Sequence, residues 1–287
     1  MFGGYLPTKH PRFRPHTITT QNIGGRLIAT VVNHKGGVGK TSLTVNLATA
    51  LGNQGKRVLV VDNDPQSNAT GILMAGPAPK NSLYELLDPE TSGTVSPEQF
   101  IYPTKSRNVS ILPNTDATSG LEIPLANTYP DSQFVLRNSL REYASSHFDV
   151  TLIDCQPTLG LFVANAMIAA DAVIVPVDAG SSYSIDNLTV VMEMIDAVRQ
   201  SANHGLNFFR MLINRVDKRT TVCQVLMREI RERFGKEQVF NTEIPVNTAI
   251  QQAEYAKDTV FRWDKHSTAA KAYRKLAKEV VAILNGA

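Results

Sequence analysis

Residues 34 to 42 read HKGGVGKTS, and their glycines and two lysines are spaced to handle phosphate. Glycines let a chain turn tightly and aim successive N–H groups at an anion, and a helix starting just beyond adds its positive N-terminus. In this reading Gly36, Gly37, Val38, Gly39 and Ser42 belong to the cradle, Lys40 reaches the β and γ phosphates, and Thr41 offers its hydroxyl to Mg²⁺. The usual phosphate-loop pattern, G-x-x-x-x-G-K-[ST], begins with glycine where this chain has His34. A glycine-rich turn that merely links strand to helix leaves Lys40 and Thr41 unexplained.

Triphosphate chemistry also needs carboxylates that hold the metal through its waters and orient an attacking water. Asp154 closes the apolar run VTLID, and Asp62 and Asp64 close VLVVDND. Ligands of open α/β sheets sit beyond the carboxyl ends of the strands, so these acids and the glycine loop are expected to converge. The competing reading makes them turn formers and helix caps, for which Asp is well suited. Asn214 ends another strand, in LINRVDK, where its amide can both donate to and accept from an adenine.

The elements that must position these groups alternate. RLIATVVN (26 to 33) is a strand, KTSLTVNLATALGNQG from Lys40 keeps apolar residues at helical spacing, and KRVLVVDND (56 to 64) is a second strand. That is a βαβ unit, which requires parallel strands. The pattern returns in FDVTLIDC (148 to 155), AVIVPV (172 to 177) and FFRMLIN (208 to 214), with helices over roughly 161–170 and 187–203, then 221–234 and 267–284. Continuous apolar runs indicate strands covered on both faces. The expected fold is α/β: a doubly wound, mostly parallel sheet with helices on both faces, one domain over 26–287. Between about 72 and 135 prolines such as Pro77, Pro79, Pro89 and Pro97 exclude long helices and suggest an elaborated crossover. Residues 1–25, rich in proline and glycine and carrying only basic charges, read as a flexible arm.

Composition sets limits on function. With 43% hydrophobic and 19% charged residues in 287, a sizeable core is available. No run of about 18 apolar residues occurs and the first residues lack an apolar leader segment, which points to the cytoplasm. A formal charge of +3 does not by itself announce a nucleic-acid binder, so charge has to be read locally. Cys155 and Cys223 form neither a CxxC pair nor a disulfide framework.

KGGVGKTS, VLVVDNDPQSNAT, VTLIDCQPTLG and AVIVPV, in this order, resemble the ParA/MinD group of deviant Walker A ATPases, and most of all the ParA-type partition ATPases. Those relatives usually read DLDPQ and DCPP where this chain has DNDPQ and DCQP. The resemblance implies ATP and Mg²⁺ as cofactors, with Lys40 on phosphate, Thr41 on Mg²⁺, Asp154 holding the ion through water, Asp62 supporting the metal shell, and Asp64 as the hydrolytic aspartate. It implies a homodimer that sandwiches two ATP molecules, with Lys35 crossing to the partner's phosphates as an arginine finger does; a solvated surface lysine is the plainer alternative. Asn214 would meet adenine, and Pro245 and Val246 the base's other side, although relatives often carry arginine where this chain has Val246.

Three outputs of such a cycle compete. The first is nonspecific DNA binding through Arg219, Arg228 and Arg231 and through Lys271, Arg274, Lys275 and Lys278 of the last helix, with a ParB-like centromere-binding adaptor stimulating hydrolysis; the protein would then be cytoplasmic and nucleoid-associated. Of these, Arg219 matches a ParA arginine implicated in DNA contact, while a second such position falls at Ala249. A solvated helix face competes with this reading. The second output is MinD-like membrane attachment, disfavoured because Val280, Val281, Ile283 and Leu284 are needed to cover the sheet. The third is electron transfer through a shared cluster, which Cys155 and Cys223 are badly placed to hold.

Overall fold

The computed structural model of the protein describes residues 26–91, 96–180, 184–206 and 208–286; the expected arm over 1–25 lies outside them. The expected doubly wound sheet forms. Its strands are β1 (Leu27–Val31), β2 (Val58–Asn63), β3 (Tyr102–Pro103), β4 (Val109–Leu112), β5 (Val150–Cys155), β6 (Ala172–Asp178) and β7 (Phe208–Asn214), in the order β3-β4-β2-β5-β1-β6-β7. All neighbours are parallel except β3 against β4. β1, β2 and β5 are buried at every residue, as apolar runs covered on both faces require.

The helices are α1 (Lys40–Asn53), α2 (Asn68–Leu73), α3 (Leu83–Leu87), α4 (Glu122–Asn127), α5 (Val135–His147), α6 (Leu161–Ala169), α7 (Ser184–Ser201), α8 (Thr221–Phe234), α9 (Thr248–Tyr255), α10 (Val260–Trp263) and α11 (Thr268–Leu284). They build two cores. On one face Leu43, Leu47 and Leu51 of α1 pack with Tyr273, Leu276 and Val280 of α11. On the other, Leu136 and Leu140 of α5, Phe162 and Val163 of α6, and Leu226 and Ile230 of α8 cover the sheet.

Strand ends are shorter than the apolar runs suggest, for identifiable reasons. β1 stops at Val31, and beyond it the Asn33 side chain donates to the Pro176 carbonyl (2.7 Å) and accepts from the Lys35 N–H (2.9 Å), bending the chain into the loop. β2 begins after Arg57, whose N–H donates to the Asp149 carboxylate (2.8 Å). The proline-rich crossover contributes more than a connection. Its NVSILPN segment supplies β4, which extends the sheet beside β2, and the polar-looking α5 follows it with only Leu136, Leu140 and Ala144 buried.

Candidate nucleotide site

The glycine loop leaves β1 and enters α1 with Gly37 at φ 73° and Gly39 at φ 87°, conformations that side chains rarely adopt. At Gly39 space is also decisive: a Cβ there would lie 2.6 Å from Asn214 Nδ2. The loop's carbonyls are held from behind. Asn214 Nδ2 donates to the Val38 carbonyl (2.8 Å), Arg215 Nη1 to that of Gly37 (3.2 Å), and Lys40 Nζ to that of Lys35 (3.0 Å). Asn214, 4% exposed, also accepts from the Arg215 N–H (2.9 Å). Each of its amide heavy atoms thus has one backbone partner, and one further N–H and one lone pair remain for a base.

Parallel pairing sets Asp62 of β2 directly beside Asp154 of β5. Both are fully buried, but their partners differ. Asp62 accepts from the Thr70 N–H and hydroxyl (2.7 Å each) and from the Asp64 N–H (3.3 Å), so both its oxygens are spent on the turn after β2 and the start of α2. Burial pushes its carboxyl up to about 6 against those bonds. Asp154 Oδ1 accepts from the Thr44 hydroxyl (3.0 Å), while Oδ2 has no hydrogen-bond partner. Burial, then the charge of Asp62, push Asp154 up to about 8, with the Thr41 and Thr44 hydroxyls pulling the other way. Burial also lowers Lys40, opposed first by Asp154. Asp64, 7% exposed, accepts from the Gln66 N–H (2.9 Å).

Lys40 and Asp64 face a cavity of about 580 Å³, lined with them by Gly36, Gly37, Gly39, Thr41 and Ser42 and closed by Gln66, Ser67, Asn68, Pro157, Glu254 and Lys257; Asp62 and Asp154 lie buried behind this wall. A smaller one of about 150 Å³ adjoins it, with Asn214, Pro245, Val246 and Tyr273 in its wall. Among the described residues no group of three or more His, Cys, Asp or Glu could hold a metal. Mg²⁺ needs no such group, since it keeps several waters and uses one or two protein oxygens beside phosphates. The orphaned Oδ2 of Asp154 and the Thr41 hydroxyl fit that demand, whereas Asp62 is withdrawn from it by Thr70. Pattern reading did not find Glu254, Lys257 or Tyr273, because α9 and α11 bring them to the loop from far along the chain; Gln66, Ser67 and Asn68 had the one available signal, that they follow Asp64 in the same turn.

The basic candidates divide. On the α8 side Arg219 clamps Asp217 through Nε and Nη2 (2.8 and 2.7 Å), and Glu243 holds Lys218 (2.9 Å) and Arg231 (2.6 Å). Arg228 is exposed and lines a groove of about 550 Å³ with Lys218 and Arg231. On α11 Lys271, Lys275 and Lys278 are exposed and carry no ion pair among the described residues; Arg274 donates to the Lys265 carbonyl (2.7 Å) and lies 5.2 Å over the Phe261 ring. Ala249 is buried.

Comparison with known proteins agrees with this geometry. The AAA domain family pattern (AAA_31) matches residues 25–208. The chain is 33% identical over 256 residues to the chromosome partitioning protein ParA of Caulobacter vibrioides, covering 88% of this chain and 93% of that one. It is 35% identical over 252 residues to the chromosome-partitioning ATPase Soj of Thermus thermophilus, covering 88% and 94%. Among solved structures, cobyrinic acid a,c-diamide synthase from Mycobacterium smegmatis with bound ADP and magnesium superposes with a TM-score of 0.74 at 29% identity, over 88% of this chain and 93% of that one. The chain therefore belongs to the AAA domain family and, within it, to the ParA and Soj group of ATPases that act in partition or positioning.

Proposed function

We propose that the protein is a Mg²⁺-dependent ATPase whose ATP-bound form pairs with a second copy, holds nonspecific DNA, and is returned to the start by hydrolysis that a ParB-like adaptor stimulates. The observation that carries the chemistry is the buried, unpartnered Oδ2 of Asp154 beside Thr41 and Lys40, facing the task of holding a cation and phosphate. Lys40 would exchange the Lys35 carbonyl for β and γ phosphate oxygens, and Thr41, with Asp154 through water, would hold Mg²⁺, which screens phosphate charge when bound. Asp64 orients the attacking water. Lys35 reaches the phosphates of the second copy, which ties turnover to pairing. The base enters the smaller cavity between Asn214 and the Pro245–Val246 backbone.

DNA is held by the cations of α11 and of the α8 side, where phosphate must compete with Asp217 and Glu243. A membrane surface is the lesser alternative: Val280, Ile283 and Leu284 of α11 are buried against the sheet, and among the described residues no helix is long and apolar enough to cross a bilayer. The test is phosphate release with and without Mg²⁺, together with retention on random-sequence DNA and on anionic liposomes in ATP or ADP. ATP-dependent, salt-sensitive retention on DNA supports the reading; retention on liposomes alone replaces it with the membrane one.

A further inference from the structure

Directly behind the paired Asp62 and Asp154, on the opposite face of the sheet, lies a small polar cluster in an otherwise apolar layer. Asn63, one residue from each of two site acids, points into it and is 1% exposed. Its register partner is Cys155, whose Sγ lies 3.1 Å from the Thr30 hydroxyl and 3.9 Å from Asn63 Nδ2. The strong bond of Asn63 runs elsewhere: Nδ2 donates to the Phe162 carbonyl in the first turn of α6 (2.9 Å). Its Oδ1 is buried with no partner. Val61, Ile153 and Val163 share this layer, so an apolar side chain at position 63 would fit it without leaving an orphaned acceptor, which is costly.

The bond joins two parts of the site. α6 starts at Leu161 after Gly160 with no side-chain cap; Asn165 Nδ2 donates to the Leu161 carbonyl (3.2 Å) and to the Ser132 carbonyl (2.8 Å), which ties the first turn toward α5, while Asn63 ties it to β2. Between Asp154 and α6 runs the Gln156–Gly160 loop, which sends Pro157 into the wall of the large cavity that the glycine loop also lines. The strand end that carries Asp64 is thereby tied, through Asn63, to the helix where that loop ends.

We propose that Asn63 is a positioning residue for hydrolysis: it fixes the first turn of α6 against β2, and so sets the wall carried by Pro157 relative to Asp64. It touches no substrate. The glycine loop is braced separately by Asn33, Asn214 and Arg215, so nucleotide affinity does not depend on this tie.

The inference rests on the ATPase reading, and one set of measurements separates the two. In the full-length protein, Asn63→Leu is expected to lower kcat at least fivefold with KM for ATP within twofold of wild type, while the melting temperature holds or rises. Asn63→Thr, a strand-compatible side chain too short to reach Phe162, shows the same kcat loss should the leucine variant fail to fold. Thr30→Val, which alters the same cluster by removing the hydroxyl beside Cys155 and leaves the Asn63–Phe162 bond in place, leaves kcat within twofold. Turnover within twofold of wild type in a folded Asn63 variant overturns the proposal, as does an equal loss in Thr30→Val, since that signals general disturbance of the layer. Absence of turnover in the wild type refutes the ATPase reading itself.

Discussion

The nucleotide site and the basic surfaces of α8 and α11 both rest on charged side chains, yet the fold treats them in opposite ways. At the nucleotide site Lys40, Asp62 and Asp154 are buried, and each position follows from strand register or from the turn that leaves a strand. Removing one group there strands another in a medium where an unpaired charge is expensive. On the surface, Arg219 is 89% exposed on its side chain while clamping Asp217, and Lys218 is 73% exposed while holding Glu243. Such exposed pairs contribute little to stability and exchange partners readily. Burial thus makes the first region rigid and specific, and exposure leaves the second free to trade an internal carboxylate for an external phosphate.

The contrast is tested most severely at Lys40. Lys40→Ala should lose ATP binding and drop turnover by at least about 10³-fold in a phosphate-release assay, since a dedicated phosphate cation is worth at least what one transition-state donor is. Retained binding would show that the buried cation is not what holds the phosphates. Asp64→Ala should retain ATP, measured by equilibrium dialysis, and lose turnover by about 10²-fold or more; fast hydrolysis would remove Asp64 from the chemistry. Lys35→Ala should keep binding of ATP by the single chain but abolish ATP-dependent dimers in sedimentation; unchanged dimers and turnover would make Lys35 a plain surface lysine.

Smaller effects probe the surfaces. Replacing Lys271, Lys275 and Lys278 together by alanine should flatten the salt slope of DNA affinity by about one per lysine that meets phosphate. Glu243→Gln should strengthen DNA retention severalfold by releasing Lys218 and Arg231; no change would mean the α8 side takes no part. The smallest effect is on stability against pH. The folded-state values of Asp62 and Asp154, about 6 and about 8, lie above the 3.8 of the unfolded chain, so folding holds protons that unfolding releases. Their contribution is fully present below about pH 4 and is lost as pH rises through 6 and then 8. The melting temperature of the nucleotide-free protein should fall by several degrees across that window, and less with Mg²⁺ and ATP present.

What the chain reveals in advance follows the same division. Strands such as VTLID and AVIVPV are legible because a strand buried on both faces is apolar at nearly every position, and Asp64 and Asp154 stand out because they lie at the carboxyl ends of such strands. Helix α5 is not, since only three of its positions face the core and the rest are polar. The withdrawal of Asp62 depends on Thr70, and the neutralisation of Arg231 depends on Glu243, twelve residues away across a turn. Local pattern carries no trace of either. Asn63 lies between these cases: a polar residue within an apolar strand motif was visible, but its tie to Phe162 required the packed layer.

The hydrogen bond from Lys40 to the Lys35 carbonyl has a thermodynamic meaning. Before any nucleotide arrives, the loop already serves as its own ligand for the ammonium that desolvation would otherwise penalise. Phosphate binding is then a swap of acceptors, with the gain limited to the difference between a charged oxygen and a neutral one. On the proposed function, such a resting state restrains affinity and leaves the lysine an acceptor when the phosphates depart.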